Sequence, residues 1–103
     1  MSGHALHPEA YTDLDDIRGY IAEDSLDAAD RVITEIFDAI RGLVSFPNQG
    51  HKRPDLTSRP LRFILVYEYL IAYAPDEKPL CVVAVMHGRR NPRVMAAILR
   101  GSE

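Results

Sequence analysis

Apolar side chains recur at intervals of four, three and four through Ala10, Leu14, Ile17 and Ile21, the spacing of a single helix face. Pro8 fits the first helical position, where its missing N–H costs nothing, so the pattern predicts a helix over roughly residues 8–23. A second stripe runs through Leu26, Ala29, Ile33, Ile36, Ile40 and Leu43, and Val32, Phe37 and Val44 broaden it. Ser25 or Asp27 can cap this helix, with acidic residues near its positive end. The short Asp24-Ser25 connection makes the two helices antiparallel neighbours, and such a hairpin must cover something apolar. Gly42 weakens the last turn, and Phe46-Pro-Asn-Gln-Gly50 stops the helix.

From Leu61 the period changes. Leu61-Arg-Phe-Ile-Leu-Val-Tyr67 and Tyr69-Leu-Ile-Ala-Tyr73 are rich in strand formers, and a tight turn at Tyr67-Glu68-Tyr69 joins them without Asn-Gly or Asp-Gly. Ala74-Pro-Asp-Glu-Lys-Pro79 is a clearer turn, leading into Leu80-Cys-Val-Val-Ala-Val-Met-His87, a continuous apolar run that reads as a buried strand. Three strands with short connections form an antiparallel meander, the natural partner of the helical hairpin in a two-layer α+β domain. Asn91 and Pro92 start a short C-terminal helix containing Met95, Ile98 and Leu99, and Gly101 ends it. Ala5-Leu6 can add a short strand at a sheet edge. No repeat, linker or low-complexity segment divides residues 1–103, so a single domain is expected.

Composition changes the picture in one respect. The net charge of −3 hides a division. Residues 1–40 carry ten acidic and two basic side chains, a balance of −8, whereas residues 41–103 carry five and ten, a balance of +5. The acidic residues of the first helix read as a solvated face. The overall balance does not suit a general nucleic-acid binder, so the basic half meets its partner locally. No apolar run approaches the ~20 residues of a membrane span, and no signal segment opens the chain. A cytoplasmic protein with no membrane association is expected. The single Cys81 agrees and reads as an inert thiol in an apolar strand. His4 and His7 lack ligand-spaced companions, so neither a metal nor another cofactor is expected.

The order of these pieces resembles the RelE/ParE superfamily, the toxic half of bacterial type II toxin–antitoxin pairs. Pro8-Glu-Ala-Tyr-Thr-Asp-Leu-Asp-Asp-Ile-Arg-Gly-Tyr-Ile21 resembles the first helix of that family and Ala28-Ala-Asp-Arg-Val-Ile33 the second. Leu43-Val-Ser-Phe-Pro-Asn-Gln-Gly50 is similar to its Leu…Pro…Gly turn. Arg62-Phe63 followed by Tyr67 and Tyr73 resembles the central hairpin, and Val85-Met-His-Gly-Arg-Arg90 the last strand. The resemblance implies a short first strand, a helical hairpin packed on the meander, and a cognate antitoxin forming a hetero-oligomer with the toxin. It also implies one of two targets. RelE-like members cleave mRNA in the ribosome; ParE-like members inhibit DNA gyrase.

Metal-free RNA cleavage needs a base, an acid and positive charge on the phosphate. The resemblance places Arg62, and Arg89 or Arg90, near phosphate-binding arginines of RelE-like members. His87 is the best acid–base candidate, with His51 and Lys52 second. Against cleavage, the tyrosine that RelE-like enzymes carry after the last-strand arginine is absent from Asn91-Pro-Arg-Val-Met-Ala-Ala-Ile-Leu-Arg100. The ParE-like reading, a non-enzymatic gyrase inhibitor, is therefore preferred; a ribosome-dependent endonuclease and a degenerate member that only binds antitoxin are the alternatives. His51, Lys52, Arg53, Arg62, His87, Arg89, Arg90 and Arg93 are the candidate residues for recognising target or antitoxin. Structural duties compete with these roles: His87 can bond a backbone carbonyl, Arg62 can pair with Glu68 or Glu77, and Arg89 or Arg90 with helix carboxylates.

Overall fold

A computed structural model describes residues 3–101 of the chain. The elements run β1 (His4–Leu6), α1 (Pro8–Ala22), α2 (Leu26–Ser45), β2 (Arg62–Val66), β3 (Tyr69–Ala74), β4 (Leu80–His87) and α3 (Pro92–Gly101). The chain is α+β, as expected. The caps explain the helix starts. His7 accepts the Glu9 N–H through Nδ1, Ser25 accepts that of Ala28, and Asn91 accepts that of Arg93, so each supplies an acceptor that the first turn otherwise lacks. Among the described residues no helix is long and apolar enough to cross a membrane.

The sheet has the order β1-β4-β3-β2. β2, β3 and β4 form the antiparallel meander, whereas β1 pairs parallel to β4, His4 to Leu80 and Leu6 to Val82. The sheet is therefore mixed. Two residues, Tyr67 and Glu68, close the β2–β3 hairpin between the paired Val66 and Tyr69. Tyr67 adopts φ 53°, the positive-φ geometry that two-residue hairpin loops demand and that glycine usually supplies. In β4 the register slips by one residue, with Ala84 opposite Ala72 but Val82 opposite Tyr73, so Val83 is the extra residue of a bulge.

Period-2 alternation sorts the strands onto two faces. One buried cluster joins Ala10 and Leu14 of α1 and Ile36, Ile40 and Leu43 of α2 to Tyr69, Ile71, Tyr73, Val82 and Val85. The other joins Phe63, Leu70, Ala72 and Met86 to Met95 and Leu99 of α3 and to Leu56 and Leu61 of the long loop. Two-sided coverage explains why every residue of β3 is buried. It also differs from the two-layer expectation, since α3 and the loop form a partial third layer. At the ends of the α2 stripe, Leu26 and Val44 are exposed rather than packed. The Cys81 thiol is half-buried in β4, and burial pushes its pKa up.

Candidate functional site

The loop of residues 46–61 leaves α2 and returns to β2 around one phenol. Tyr73 is fully buried, and its hydroxyl donates to the Pro47 carbonyl (2.7 Å) and accepts the Gly50 N–H (2.9 Å). Burial pushes this phenol's pKa up. Gly50 has no room for a side chain, since a Cβ there would lie 2.6 Å from the Tyr73 hydroxyl and 2.8 Å from the Phe63 carbonyl. His51 then exchanges both backbone hydrogen bonds with Phe63, laying the loop along part of the outer edge of β2.

This construction decides where the basic candidates lie. Arg62 opens β2 and is half-buried, its Nη1 donating to the Gly50 carbonyl at 2.8 Å. It holds the loop and pairs with neither Glu68 nor Glu77. His51 and Lys52 are exposed. Arg53 pairs with Asp55 through Nε and Nη2 at 2.9 and 2.8 Å, which raises the guanidinium pKa and lowers that of the carboxyl.

His87, Gly88, Arg89 and Arg90 occupy the other end of the sheet. Arg62 pairs with Tyr73 and His87 with Tyr69, so they stand four residue steps apart along β3, about 13 Å at ~3.3 Å per residue. β2 and β4 both run antiparallel to β3, so the start of one lies diagonally across the sheet from the end of the other. Arg62 and His87 share a sheet but are not brought together. Both imidazole nitrogens of His87 are engaged: Nδ1 accepts the Arg89 N–H at 3.1 Å and Nε2 faces Glu68 Oε2 at 3.4 Å. Neutral His87 therefore carries its proton on Nε2. Its ring meets Tyr69 edge to face, with centroids 5.6 Å apart.

Glu68, in the hairpin turn, clasps this end of β4. Its carbonyl accepts the Gly88 N–H at 2.7 Å, and its other carboxylate oxygen lies 2.9 Å from Arg89 Nη2. A Cβ at Gly88 would lie 3.1 Å from the Glu68 carbonyl and 3.3 Å from Leu65 Cδ1, so the two turns are closely apposed. The partner expected for Arg89 was a helix carboxylate; the structure gives it Glu68 instead. Arg90 and Arg93 are exposed nearby, at the start of α3.

Two concavities flank the edge. On one side a groove along β2 has Phe63, Leu65 and Leu70 as its floor, with His51 and Arg53 at one end and Gly88 at the other. Leu65 is 64% exposed there, large for an apolar side chain on an edge strand. On the other side a small cleft between α1 and β4 is lined by Asp13, Asp16, Tyr20, Tyr69, His87 and Arg90. Asp13 Oδ2 accepts the Val85 N–H at 3.0 Å. β1 ends opposite Val82, so the edge of β4 beyond it needs another acceptor, and α1 provides one. Burial pushes the Asp13 pKa up, while the Val85 amide acts in the opposite direction. Asp13 is thus not part of the solvated face assigned to it from sequence.

The features that sequence reasoning missed are Glu68 as clasp, Asp13 as edge acceptor and Tyr73 as the hub of the loop. Only Tyr73 had a readable signal, since a tyrosine within an otherwise apolar strand needs a partner for its hydroxyl. Among the described residues no group of three or more His, Cys, Asp or Glu is arranged to hold a metal ion.

Comparison with curated proteins gives no match. Residues 5–92 match the family model described as the ParE toxin of type II toxin–antitoxin system, parDE. That span runs from within the first strand to the start of α3 and ends just past the His87–Arg90 edge. The chain belongs to the ParE toxin family of type II toxin–antitoxin systems.

Proposed function

We propose that this toxin acts by binding DNA gyrase and that a cognate antitoxin neutralises it by covering part of the same surface. The observation that carries the non-enzymatic reading is that Arg62 lies apart from His87 while Arg89, the arginine beside that imidazole, is paired with Glu68. Cleavage of an RNA strand needs phosphate-binding charge and a proton-transfer group within hydrogen-bond reach of one substrate phosphate. Here the arginine at the start of β2 is committed to a loop carbonyl, about 13 Å along the sheet from the imidazole. The imidazole itself accepts the Arg89 N–H at Nδ1 and faces the Glu68 carboxylate at Nε2. What remains accessible is a recognition surface: Arg89, Arg90 and Arg93 at the end of β4 and the start of α3, joined through Gly88 to a groove with an apolar floor and His51 and Arg53 at its far end. Apolar floors with charged rims suit protein partners.

The purified chain should block DNA supercoiling by gyrase in vitro and should leave mRNA intact on translating ribosomes. Full supercoiling at saturating toxin, together with toxin-dependent cuts in a toeprint, would replace this reading with the endonuclease. Harmless expression without antitoxin, with no effect in either assay, would leave only antitoxin binding.

A further inference from the structure

We infer that Glu68 is an internal stand-in for a partner's carboxylate, occupying the cationic edge until an acidic peptide segment displaces it. The inference rests on reading the His87–Arg90 edge as a recognition surface, and adds how that surface is regulated and what it selects. Three contacts carry it. The two Glu68 carboxylate oxygens are divided between Arg89 Nη2 (2.9 Å) and His87 Nε2 (3.4 Å), and the Glu68 carbonyl fixes the Gly88 N–H between those residues. Among the described residues Glu68 is the only carboxylate within ion-pair distance of this edge. Its position shows the ligand chemistry that the edge accepts: one carboxylate with one oxygen at a guanidinium nitrogen and the other facing an imidazole nitrogen.

The clasp is built to open. Arg89 and Glu68 side chains are 79% and 51% exposed, and exposed pairs of this kind are weak. The backbone bond from Gly88 to Glu68 holds the two turns together whichever carboxylate faces the arginine. An acidic peptide is favoured over a nucleic acid because a side-chain carboxylate, that of Glu68, is the group this edge already holds.

The test measures binding of fluorescein-labelled hexaglutamate by anisotropy to the intact chain and to three variants, with an oligothymidine of equal length in parallel. Glu68→Gln should bind the peptide roughly fivefold more tightly, the scale of one exposed pair removed. Glu77→Gln, which removes the same charge from the turn at the opposite end of the sheet, should stay within about twofold at ionic strengths where the Debye length is ~8–10 Å. Arg89→Ala/Arg90→Ala should lose the binding. In the wild-type chain the Glu68 carboxyl carbon resonance should move as peptide is added, a readout needing no substitution. Equal gains in Glu68→Gln and Glu77→Gln, or no gain in Glu68→Gln with an unmoved carboxyl resonance, overturn the inference and leave the recognition edge standing. Undiminished binding by the double arginine variant overturns the edge itself. A larger Glu68→Gln gain for oligothymidine than for hexaglutamate overturns the choice of an acidic peptide.

Discussion

Tyr73→Phe removes one oxygen atom from the fully buried centre of the fold. That hydroxyl makes two hydrogen bonds to the backbone of the 46–61 loop, donating to Pro47 and accepting from Gly50. The ring remains and leaves no large void, so the cost is polar. Each neutral hydrogen bond contributes ~0.5–1.5 kcal/mol net, and an orphaned buried donor costs ~1–3 kcal/mol. The Pro47 carbonyl is only half-buried and can reach water, whereas Gly50 is buried, so the larger share falls on the Gly50 amide. The expected loss is about 2–3 kcal/mol, or roughly 10–20 °C in Tm for a domain of this size. Urea unfolding followed by circular dichroism reads it as a lower midpoint with unchanged m-value. A loss below about 0.5 kcal/mol would refute the claim that the phenol organises the loop. The same residue predicts a pH effect. Burial raises its pKa above the ordinary value of 10.0, so the unfolded chain gives up this proton first as pH rises. The Tyr73 contribution is complete below pH 10.0, declines as pH passes through the higher folded value, and is absent in Tyr73→Phe.

Substitutions at three further positions probe the surrounding structure. Gly50→Ala forces a methyl to within 3 Å of the Tyr73 hydroxyl and the Phe63 carbonyl and should cost at least ~1–3 kcal/mol, read in the same urea titration. Asp13→Ala should cost ~1–3 kcal/mol by orphaning the Val85 amide, whereas Asp13→Asn keeps an acceptor there. Because burial raises the Asp13 pKa above 3.8, the unfolded chain ionises first and the wild-type fold loses stability as pH rises from 3.8 through the folded value. Asp13→Asn should therefore gain on the wild type across that interval, and a parallel pair of stability–pH curves would contradict this. Gly88→Val should separate the two clasped turns, seen as faster hydrogen exchange of the residue 88 amide, with the global urea midpoint little changed.

The helices and strands were legible because burial imposes a period on the chain. Ala10, Leu14, Ile36, Ile40 and Leu43 all face the core as the stripes require, and the Tyr67-Glu68 turn was legible from flanking strand formers despite lacking glycine. The stripes overreached at Leu26 and Val44 because they report which face a residue occupies, not whether anything extends far enough to cover it. The three prolines mark residues 47–60 as a loop, but its order was illegible: it comes from Tyr73 holding Gly50 and from Phe63 pairing with His51, contacts more than ten residues apart in sequence, and nothing local marks Leu56 as buried. Grouping Arg62 with His87 ignored strand direction. A three-stranded meander places the start of its first strand and the end of its third at opposite ends of the sheet, so their separation was implicit in the reading that grouped them. The Glu68 clasp was hidden because an exposed carboxylate in a turn has several basic residues within reach, and only the register of β3 against β4 selects Arg89 and His87.

The central claim is that the toxin works through the end of β4 by binding, without a catalytic pairing of Arg62 and His87. Gyrase supercoiling titrated with wild-type chain, Arg62→Lys and Arg89→Ala/Arg90→Ala tests it most directly. The wild type and Arg62→Lys, whose ammonium can still donate to the Gly50 carbonyl, should inhibit at similar concentrations, and the double arginine variant should need at least tenfold more, about 1.4 kcal/mol of lost binding. Inhibition that survives in the double variant and disappears in Arg62→Lys would contradict the account.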